Sequence, residues 1–145
     1  MARSLLRFTA NFLVYIAIAM ITVFGFPKFL AWYLETPYPM AAITSGSMWP
    51  TLKEGDLVFI QGVKHSELKS GDVVVYRNTE SNTFTIHRIA ALYENELVTK
   101  GDANFSEDDP IPYDAIVGRA YRLGGHHVRI PHLGAITVFA SKVRK

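Results

Sequence analysis

Cysteine is absent from the 145-residue sequence. Its absence excludes disulfide bonds, a thiolate nucleophile, iron–sulfur clusters and cysteine-ligated zinc, so any catalytic chemistry must use Ser, His, Asp, Glu or Lys. A strong charge imbalance is also lacking, because charges of both signs are interspersed and the formal net charge is only +2. We therefore expect no nucleic-acid partner. No HExxH zinc motif occurs, and we expect neither a metal ion nor another cofactor.

A long hydrophobic run lies near the N-terminus, between Asn11 and Leu34. Only four residues interrupt it: Thr22, Gly25, Pro27 and Lys28. Its 24 residues would form a helix about 36 Å long, which exceeds the roughly 30 Å of a bilayer's hydrocarbon core. Arg3 and Arg7 precede the run, so the positive-inside rule predicts a cytoplasmic N-terminus. We expect a single transmembrane helix and hence a lipid bilayer as a partner.

This interpretation divides the chain into a cytoplasmic N-terminus (1–10), a transmembrane anchor (11–34) and an extracytoplasmic β-rich domain (35–145). A cleaved signal peptide is the alternative, but the residues after Phe26 are bulky and offer no small-x-small cleavage site. The linker at 35–40 contains two prolines, which cannot continue a helix, so the domain is tethered close to the bilayer. We expect the protein in the cell membrane, or in the endoplasmic-reticulum membrane of a eukaryote.

Beyond the linker, short runs of β-branched and aromatic residues alternate with turn signals. The predicted strands are 41–44, 56–60, 72–77, 83–92, 96–99, 115–123 and 127–131. Such short strands with close turns predict a mainly β fold, an antiparallel β-sandwich or small barrel that follows the N-terminal transmembrane helix. In the similar turns Gly55-Asp56 and Gly71-Asp72, we expect each aspartate to bond its own backbone rather than to act in catalysis.

The segment Ser45-Gly-Ser-Met-Trp-Pro-Thr51 places Ser47 between a glycine and a proline. Gly46 and Pro50 favour a sharp, exposed and conformationally fixed loop. A serine hydroxyl in such a loop is a candidate nucleophile, provided that a base takes its proton. An ordinary turn contains the same residue types, so the case for catalysis depends on a base elsewhere in the chain.

His87 is the best candidate for that base. It lies in the alternating strand pattern 83–89, and a strand holds an imidazole rigidly. Imidazole offers a free lone pair near neutral pH, whereas a solvated lysine does not. Lys100 is a weaker candidate because it precedes Gly101-Asp102, whose carboxylate would keep the ammonium protonated.

The segment 100–109 supplies three candidates for the carboxylate that orients an imidazole and stabilises its cationic form: Asp102, Asp108 and Asp109. A solvated acidic loop would have the same composition. The residues alone leave the choice among the three open.

Five motifs in this order behind an N-terminal anchor resemble type I signal peptidases. They are Ser45-Gly-Ser-Met-Trp-Pro-Thr51, Gly55-Asp-Leu-Val58, Gly71-Asp-Val-Val74, Ile86-His-Arg-Ile89 and Lys100-Gly-Asp-Ala-Asn with Asp108-Asp109. The closest similarity is to the branch that contains archaeal enzymes and the catalytic subunits of the endoplasmic-reticulum complex, which pairs serine with histidine where the main bacterial branch has lysine. The resemblance implies a serine endopeptidase that removes signal peptides from secreted preproteins, with the fold of self-cleaving repressor peptidases.

The resemblance also implies individual roles. Ser47 matches the nucleophile, His87 the general base, and Ser45 a hydroxyl that contributes to the oxyanion hole. The family's second aspartate aligns with Asp108 when counted from Asp102 and with Asp109 when counted from Tyr113. We prefer Asp109 as the partner of His87 and give Asp102 a supporting role.

Two positions depart from the family pattern. Ala103 replaces the first Asn of the commoner Gly-Asp-Asn-Asn, so that side chain is not expected to be essential. Many relatives continue into a second membrane helix, whereas the apolar run at 135–140 is too short to span a bilayer, and we expect an interfacial or packed helical end. Preprotein signal peptides are the implied substrates, and secretion machinery or signal peptidase complex subunits are possible partners.

Two other classes of function stay open at the sequence level. A metal-dependent hydrolase could use His87, Asp102, Asp108 and Asp109 as ligands, although no ligand-spacing motif supports it. A catalytically inactive, membrane-tethered β-domain could bind extended peptides by strand addition.

Overall fold

The computed structural model of the chain describes residues 2–78, 83–135 and 139. They fall into two compact units that divide between Tyr33 and Leu34. Residues 79–82, between the predicted strands 72–77 and 83–92, lie outside the described residues, as do most of the apolar run at 135–140 and the basic residues that follow it.

The first unit is helical. It consists of α1 (Ala2–Met20), a π-helical turn (Ile21–Gly25) and α2 (Phe26–Tyr33). The π-helical turn ends two residues before Pro27, whose missing N–H and bulky ring disturb the α-helical hydrogen bonds of the preceding turn. The stretch Thr9–Tyr33 is long and apolar enough to cross a membrane, which agrees with the predicted apolar helix.

The described residues of the second unit form ten strands. They are β1 (Met40–Ala42), β2 (Leu57–Gln61), β3 (Val73–Asn78), β4 (Thr83–Leu92), β5 (Glu96–Lys100), β6 (Ile111–Pro112), β7 (Ile116–Ala120), β8 (Arg122–Leu123), β9 (His126–His127) and β10 (Arg129–Ile130). Short 3₁₀ helices occupy His65–Glu67 and Tyr113–Ala115.

The strands pair antiparallel throughout. Eight form one sheet in the order β1-β2-β7-β3-β4-β5-β6, with β10 also paired to β2, and β8 and β9 form a separate hairpin. The predicted mainly β, antiparallel fold is confirmed. Strand β6 was not anticipated, because it has two residues and contains a proline, which is tolerated at a sheet edge but gives no strand signal.

Alternation along β3 gives the sheet a core on each face. Val73 and Val75 pack with a cluster of buried residues: Ile43, Met48, Leu52, Val58, Ile60 and Ala120. Val74 points to the other face and packs with Leu68, Ile89 and Leu97. Because β3 is buried on both sides, its neighbour β4 is a rigid support for any side chain that it carries.

The two Gly-Asp turns have the structural role predicted for them. Gly55 and Gly71 adopt φ values of 89° and 90°, a region that suits glycine. The carboxylate of Asp56 accepts a hydrogen bond from the backbone of Lys53 (3.0 Å), and that of Asp72 does so from Lys69 (3.1 Å). Arg129 and Arg119 pair with these two carboxylates, so neither aspartate is free for catalysis.

Candidate active site

Ser47 lies in the turn that connects β1 to β2. The amide of Trp49 donates to the carbonyl of Gly46 (3.0 Å), and the amide of Leu52 donates to that of Met48 (2.9 Å). The side chains of Met48 and Leu52 are fully buried in the core below the turn. Ser47 is therefore half-buried on a segment that is anchored from beneath.

His87 projects from β4 towards this turn. The Nε2 atom of its ring lies 3.1 Å from Oγ of Ser47, although forty positions separate the two residues. The residue is 7% exposed, and its backbone is paired opposite Val74 of the central strand β3. The sequence-based pairing of these two residues is thus realised as a direct contact.

The carboxylate that meets the other side of the imidazole belongs to Asp108. Its Oδ2 atom lies 2.6 Å from Nδ1 of His87. The preference for Asp109 in this position is wrong: that residue is exposed, whereas the amide of Asp108 donates to the carbonyl of Thr99 (2.8 Å) and so brings Asp108 back against β5. Because a carboxylate only accepts hydrogen bonds, the geometry assigns the imidazole proton to Nδ1 and leaves the Nε2 lone pair facing Ser47.

Asp102 forms an ion pair with Arg88, the residue that follows His87, instead of with His87 itself. Its two carboxylate oxygens accept hydrogen bonds of 2.8 and 2.7 Å from Nε and Nη2 of Arg88. The same guanidinium donates to the carbonyl of Gly71 (2.8 Å) and to Oγ1 of Thr51 (3.3 Å). Burial alone would raise the pKa of Asp102, but the hydrogen bonds from Arg88 and Thr51 and the charge of Arg88 lower it. The ion pair forms with Arg88 rather than with Lys100, the sequence neighbour considered above.

The loop that supplies Asp108 also holds the nucleophile. The amide of Ala103 donates a 2.8 Å hydrogen bond to the carbonyl of Ser47. A side chain at Gly101 would meet that carbonyl at 2.8 Å, so the approach requires glycine. Ala103 acts through its main chain, which explains why its side chain need not be asparagine.

Ser45 lies beside the nucleophile. Its Oγ atom is 3.2 Å from Oγ of Ser47, and its side chain is exposed. A second hydroxyl at this distance can donate to an oxygen that develops negative charge near Ser47.

An open cavity of about 300 Å³ adjoins Ser47 and His87. Its apolar lining comes from β1 and the residue after it, and from strands β3 and β4: Ala41, Ala42, Ile43, Val75, Phe84 and Ile86. On β4, the residues Thr83–His87 pair with β3 on one side, while β5 pairs only with Arg88 and beyond. Within the described part of the chain, the outer edge of 84–87 therefore has no strand partner.

Two polar residues near Asp108 had no sequence signal. Thr99 and Tyr76 both place hydroxyl groups on its carboxylate, at 2.6 and 3.4 Å. Thr99 is fully buried in β5 and Tyr76 nearly so in β3. Their contacts arise from the return of a distant loop, which strand periodicity does not encode.

The four side chains considered for a metal site do not converge. His87 and Asp108 are in contact, but Asp102 is bound to Arg88 and Asp109 is exposed. Among residues 2–78 and 83–135, no group of three or more His, Asp or Glu side chains is close enough to hold a metal ion.

Comparison with known proteins gives consistent matches. The family model described as "Signal peptidase, peptidase S26" matches residues 9–113, a span that includes the whole site. Similar fungal proteins are named signal peptidase complex catalytic subunit SEC11. The protein from Fusarium vanettenii is 30% identical over 133 residues, 87% of this chain and 77% of that protein. The protein from Colletotrichum graminicola is 31% identical over 144 residues, 94% of this chain and 83% of that protein.

Proposed function

Because this chain belongs to the signal peptidase family, peptidase S26, we propose that it is a membrane-anchored serine endopeptidase that removes signal peptides from secreted preproteins. The observation that supports this most directly is the continuous series of contacts from Ser47 through His87 to Asp108. The series has the order and spacing of a nucleophile, a base and an orienting acid.

Each residue of the series has a defined role in the reaction. Ser47 Oγ attacks the scissile carbonyl while His87 Nε2 takes its proton, and the same nitrogen then returns the proton to the departing amine. Asp108 stabilises the imidazolium that forms in between. A water molecule, activated by His87 in turn, hydrolyses the acyl-enzyme and regenerates Ser47.

The oxygen that becomes negative in each tetrahedral intermediate needs hydrogen-bond donors. We assign one of them to the Ser45 hydroxyl, since it lies beside Ser47, and another to the backbone N–H of Ser47. Neither donor requires rearrangement of the core, because the turn is held by Met48 from below.

An extended peptide suits the surface next to Ser47. The free edge of 84–87 offers backbone hydrogen bonds to an added strand, and the apolar cavity offers space for alternate side chains. The resemblance to signal peptidases implies small side chains on the substrate, one and three residues before the cleaved bond. We therefore propose signal peptides as the substrates.

We assign the apolar helix to a single membrane anchor, with residues 1–10 in the cytoplasm and the domain from residue 35 onward outside it. In a eukaryote this corresponds to the endoplasmic-reticulum membrane. An anchor raises the effective concentration of Ser47 near preproteins that emerge at the membrane. Because the similar fungal proteins are named complex subunits, we also propose that further subunits or secretion machinery associate with this chain.

A preprotein cleavage assay in detergent micelles, with products mapped by mass spectrometry, tests the proposal. The wild-type chain is expected to cut once after the signal peptide. Ser47→Ala and His87→Ala are each expected to reduce the rate by about 10³-fold or more, since the members of a triad act as a unit. Ser66→Ala, in an exposed 3₁₀ helix, is the matched control and keeps full activity. Near-normal cleavage by Ser47→Ala would refute the mechanism.

The free edge of β4 also favours a second candidate, a peptide-binding domain without activity. That candidate predicts binding of a signal peptide with no covalent adduct at Ser47 and no cleavage. A metal-dependent hydrolase would lose activity in excess chelator, whereas the serine mechanism predicts an unchanged rate.

A further inference from the structure

Three hydrogen-bonding groups converge on one oxygen of Asp108. His87 Nδ1 lies 2.6 Å from Oδ2, the Thr99 hydroxyl donates to the same atom at 2.6 Å, and the Tyr76 hydroxyl does so at 3.4 Å. The two hydroxyls belong to buried side chains of different strands, 0% and 4% exposed respectively. Neither hydroxyl contacts Ser47.

Thr99 makes two hydrogen bonds with Asp108. Its carbonyl accepts the amide of Asp108 (2.8 Å), and its hydroxyl donates to the carboxylate of the same residue. These two bonds close the loop that leaves β5 after Lys100. Together they fix the position of the Asp108 backbone and the rotation of its carboxylate.

Without these two hydrogen bonds the Asp108 carboxylate would not stay aligned with Nδ1 of His87. Asp108 borders a second open cavity of about 380 Å³, which is lined partly by Glu107 and Asp109 and not by Ser47. Water from that cavity competes for the carboxylate, and the neighbouring acidic side chains repel it. A donor from the protein interior opposes both effects.

We propose that Thr99, assisted by Tyr76, is a positioning residue that holds the Asp108 carboxylate in line with Nδ1 of His87 and so keeps the imidazole in the tautomer that activates Ser47. Only the kinetic test of this inference depends on the proposed function. Thr99 reaches the reaction through Asp108 and touches neither the nucleophile nor the cavity beside it.

Tyr76 is suited to the assisting role because it remains a donor. Burial raises the pKa of its phenol; a hydrogen bond with Thr99 lowers it, and the negative charge of Asp108 raises it further. Its ring also meets the imidazole of His87 edge-on, with centroids 6.5 Å apart.

The kinetic test compares Thr99→Val, which removes only the hydroxyl, with Thr99→Ser, which keeps it. Thr99→Val is expected to lower kcat for preprotein cleavage about 10- to 100-fold with KM within about twofold, because one hydrogen bond to a charged group is lost. Thr99→Ser should stay within about threefold of wild type, and Tyr76→Phe should lose less than Thr99→Val. Equal losses in the valine and serine variants would assign Thr99 to packing and overturn the inference.

A double variant shows whether Thr99 acts through Asp108. In an Asp108→Asn background, Thr99→Val should cause no more than about a twofold additional loss. A full, independent loss in that background would overturn the inference. Thermal unfolding of each variant shows whether a loss of activity comes from misfolding. If Thr99→Val misfolds, the activity of Thr99→Ser is compared with that of the wild type instead.

A measurement without substrate separates this inference from the proposed function. With ¹⁵N-labelled histidine in micelles, the Nδ1–H resonance of His87, identified by its loss in His87→Gln, should lie at low field. It should move upfield in Thr99→Val and stay in place in Thr99→Ser. An unmoved resonance in Thr99→Val refutes the positioning role even if cleavage occurs, whereas the expected shifts in a protein that cleaves no preprotein refute the proposed function alone.

Discussion

The carbonyl of Ser47 accepts a 2.8 Å hydrogen bond from the amide of Ala103, so the peptide unit of the candidate nucleophile is held by the loop that carries the candidate acid. The Ser47 turn and this loop come from distant parts of the sequence. Their contact is a main-chain contact, so it depends on how closely the two backbones can approach rather than on side-chain identity.

The first prediction concerns that approach. In Gly101→Ala, the added methyl group would lie 2.8 Å from both the Ser47 carbonyl and the Asn104 side chain, so the turn must shift. We expect kcat to fall by about 10- to 100-fold, because small displacements of a nucleophile are costly. Ala103→Asn is the matched control and should stay within about twofold. Wild-type kinetics in Gly101→Ala would show that this contact does not position Ser47.

The second prediction distinguishes the two adjacent aspartates. Asp108→Asn places an amide against Nδ1 of His87, which disfavours the required tautomer, and should lower kcat by about 10³- to 10⁴-fold. Asp109→Asn alters an exposed side chain and should change it by less than about threefold. The opposite order of effects, measured in the same cleavage assay, would show that Asp109 rather than Asp108 acts as the acid.

The third prediction concerns the Arg88–Asp102 ion pair. Because hydrogen bonds from Arg88 hold the pKa of Asp102 below its usual range, the folded state binds fewer protons than the unfolded state there. The pair therefore stabilises the fold above the unfolded pKa of about 3.9, and the contribution is lost as the pH falls through the lower folded value.

Asp102→Asn should reduce the free energy of unfolding at pH 7 by about 1.5–3 kcal/mol, and the difference from wild type should shrink below about pH 4. Urea denaturation at a series of pH values measures both effects. Glu94→Gln, in an exposed turn, is the control. A difference that is constant down to the most acidic conditions would contradict the assigned charge state.

The fourth prediction concerns His127. Burial, with repulsion from Arg122 and Arg88, lowers the pKa of its imidazole, and within the described part of the chain its Nδ1 atom is buried without a hydrogen-bond partner. The unfolded state then binds more protons below about pH 6.5, so stability falls as the pH is lowered through that value. His127→Gln should show a smaller decrease in Tm between pH 7.5 and pH 5.5 than the wild type. His126→Gln, at the exposed neighbouring position, should follow the wild type.

Periodicity and turn chemistry explain why so much of the fold was predictable. The alternation in 83–92 and the turns at Gly55 and Gly71 are local signals, and each corresponds to an observed strand or turn. The apolar helix was equally clear from its length. Three features depend on details that a residue pattern does not encode: the irregular turn before Pro27, the two-residue strand β6, and the division of the predicted strands 115–123 and 127–131 into shorter strands.

The candidate site was predictable where a side chain is mounted on a regular element. His87 on β4 is such a case, and it contacts Ser47 as expected, while the roles of both residues remain a proposal. Asp108 was not selected because Asp108 and Asp109 are adjacent in an irregular loop, and counting residues cannot tell which carboxylate turns inward. The deciding contacts are the two from Thr99, which depend on where the loop meets β5.

The loop from Gly101 to Asp108 is tied at one end to the Ser47 carbonyl through Ala103 and at the other to Thr99. The length of the loop is therefore fixed by both hydrogen bonds together, and neither end can move without a change at the other. Chimeras with a related enzyme should work when residues 99–108 are exchanged as an intact cassette, and should fail when the crossover point falls inside it.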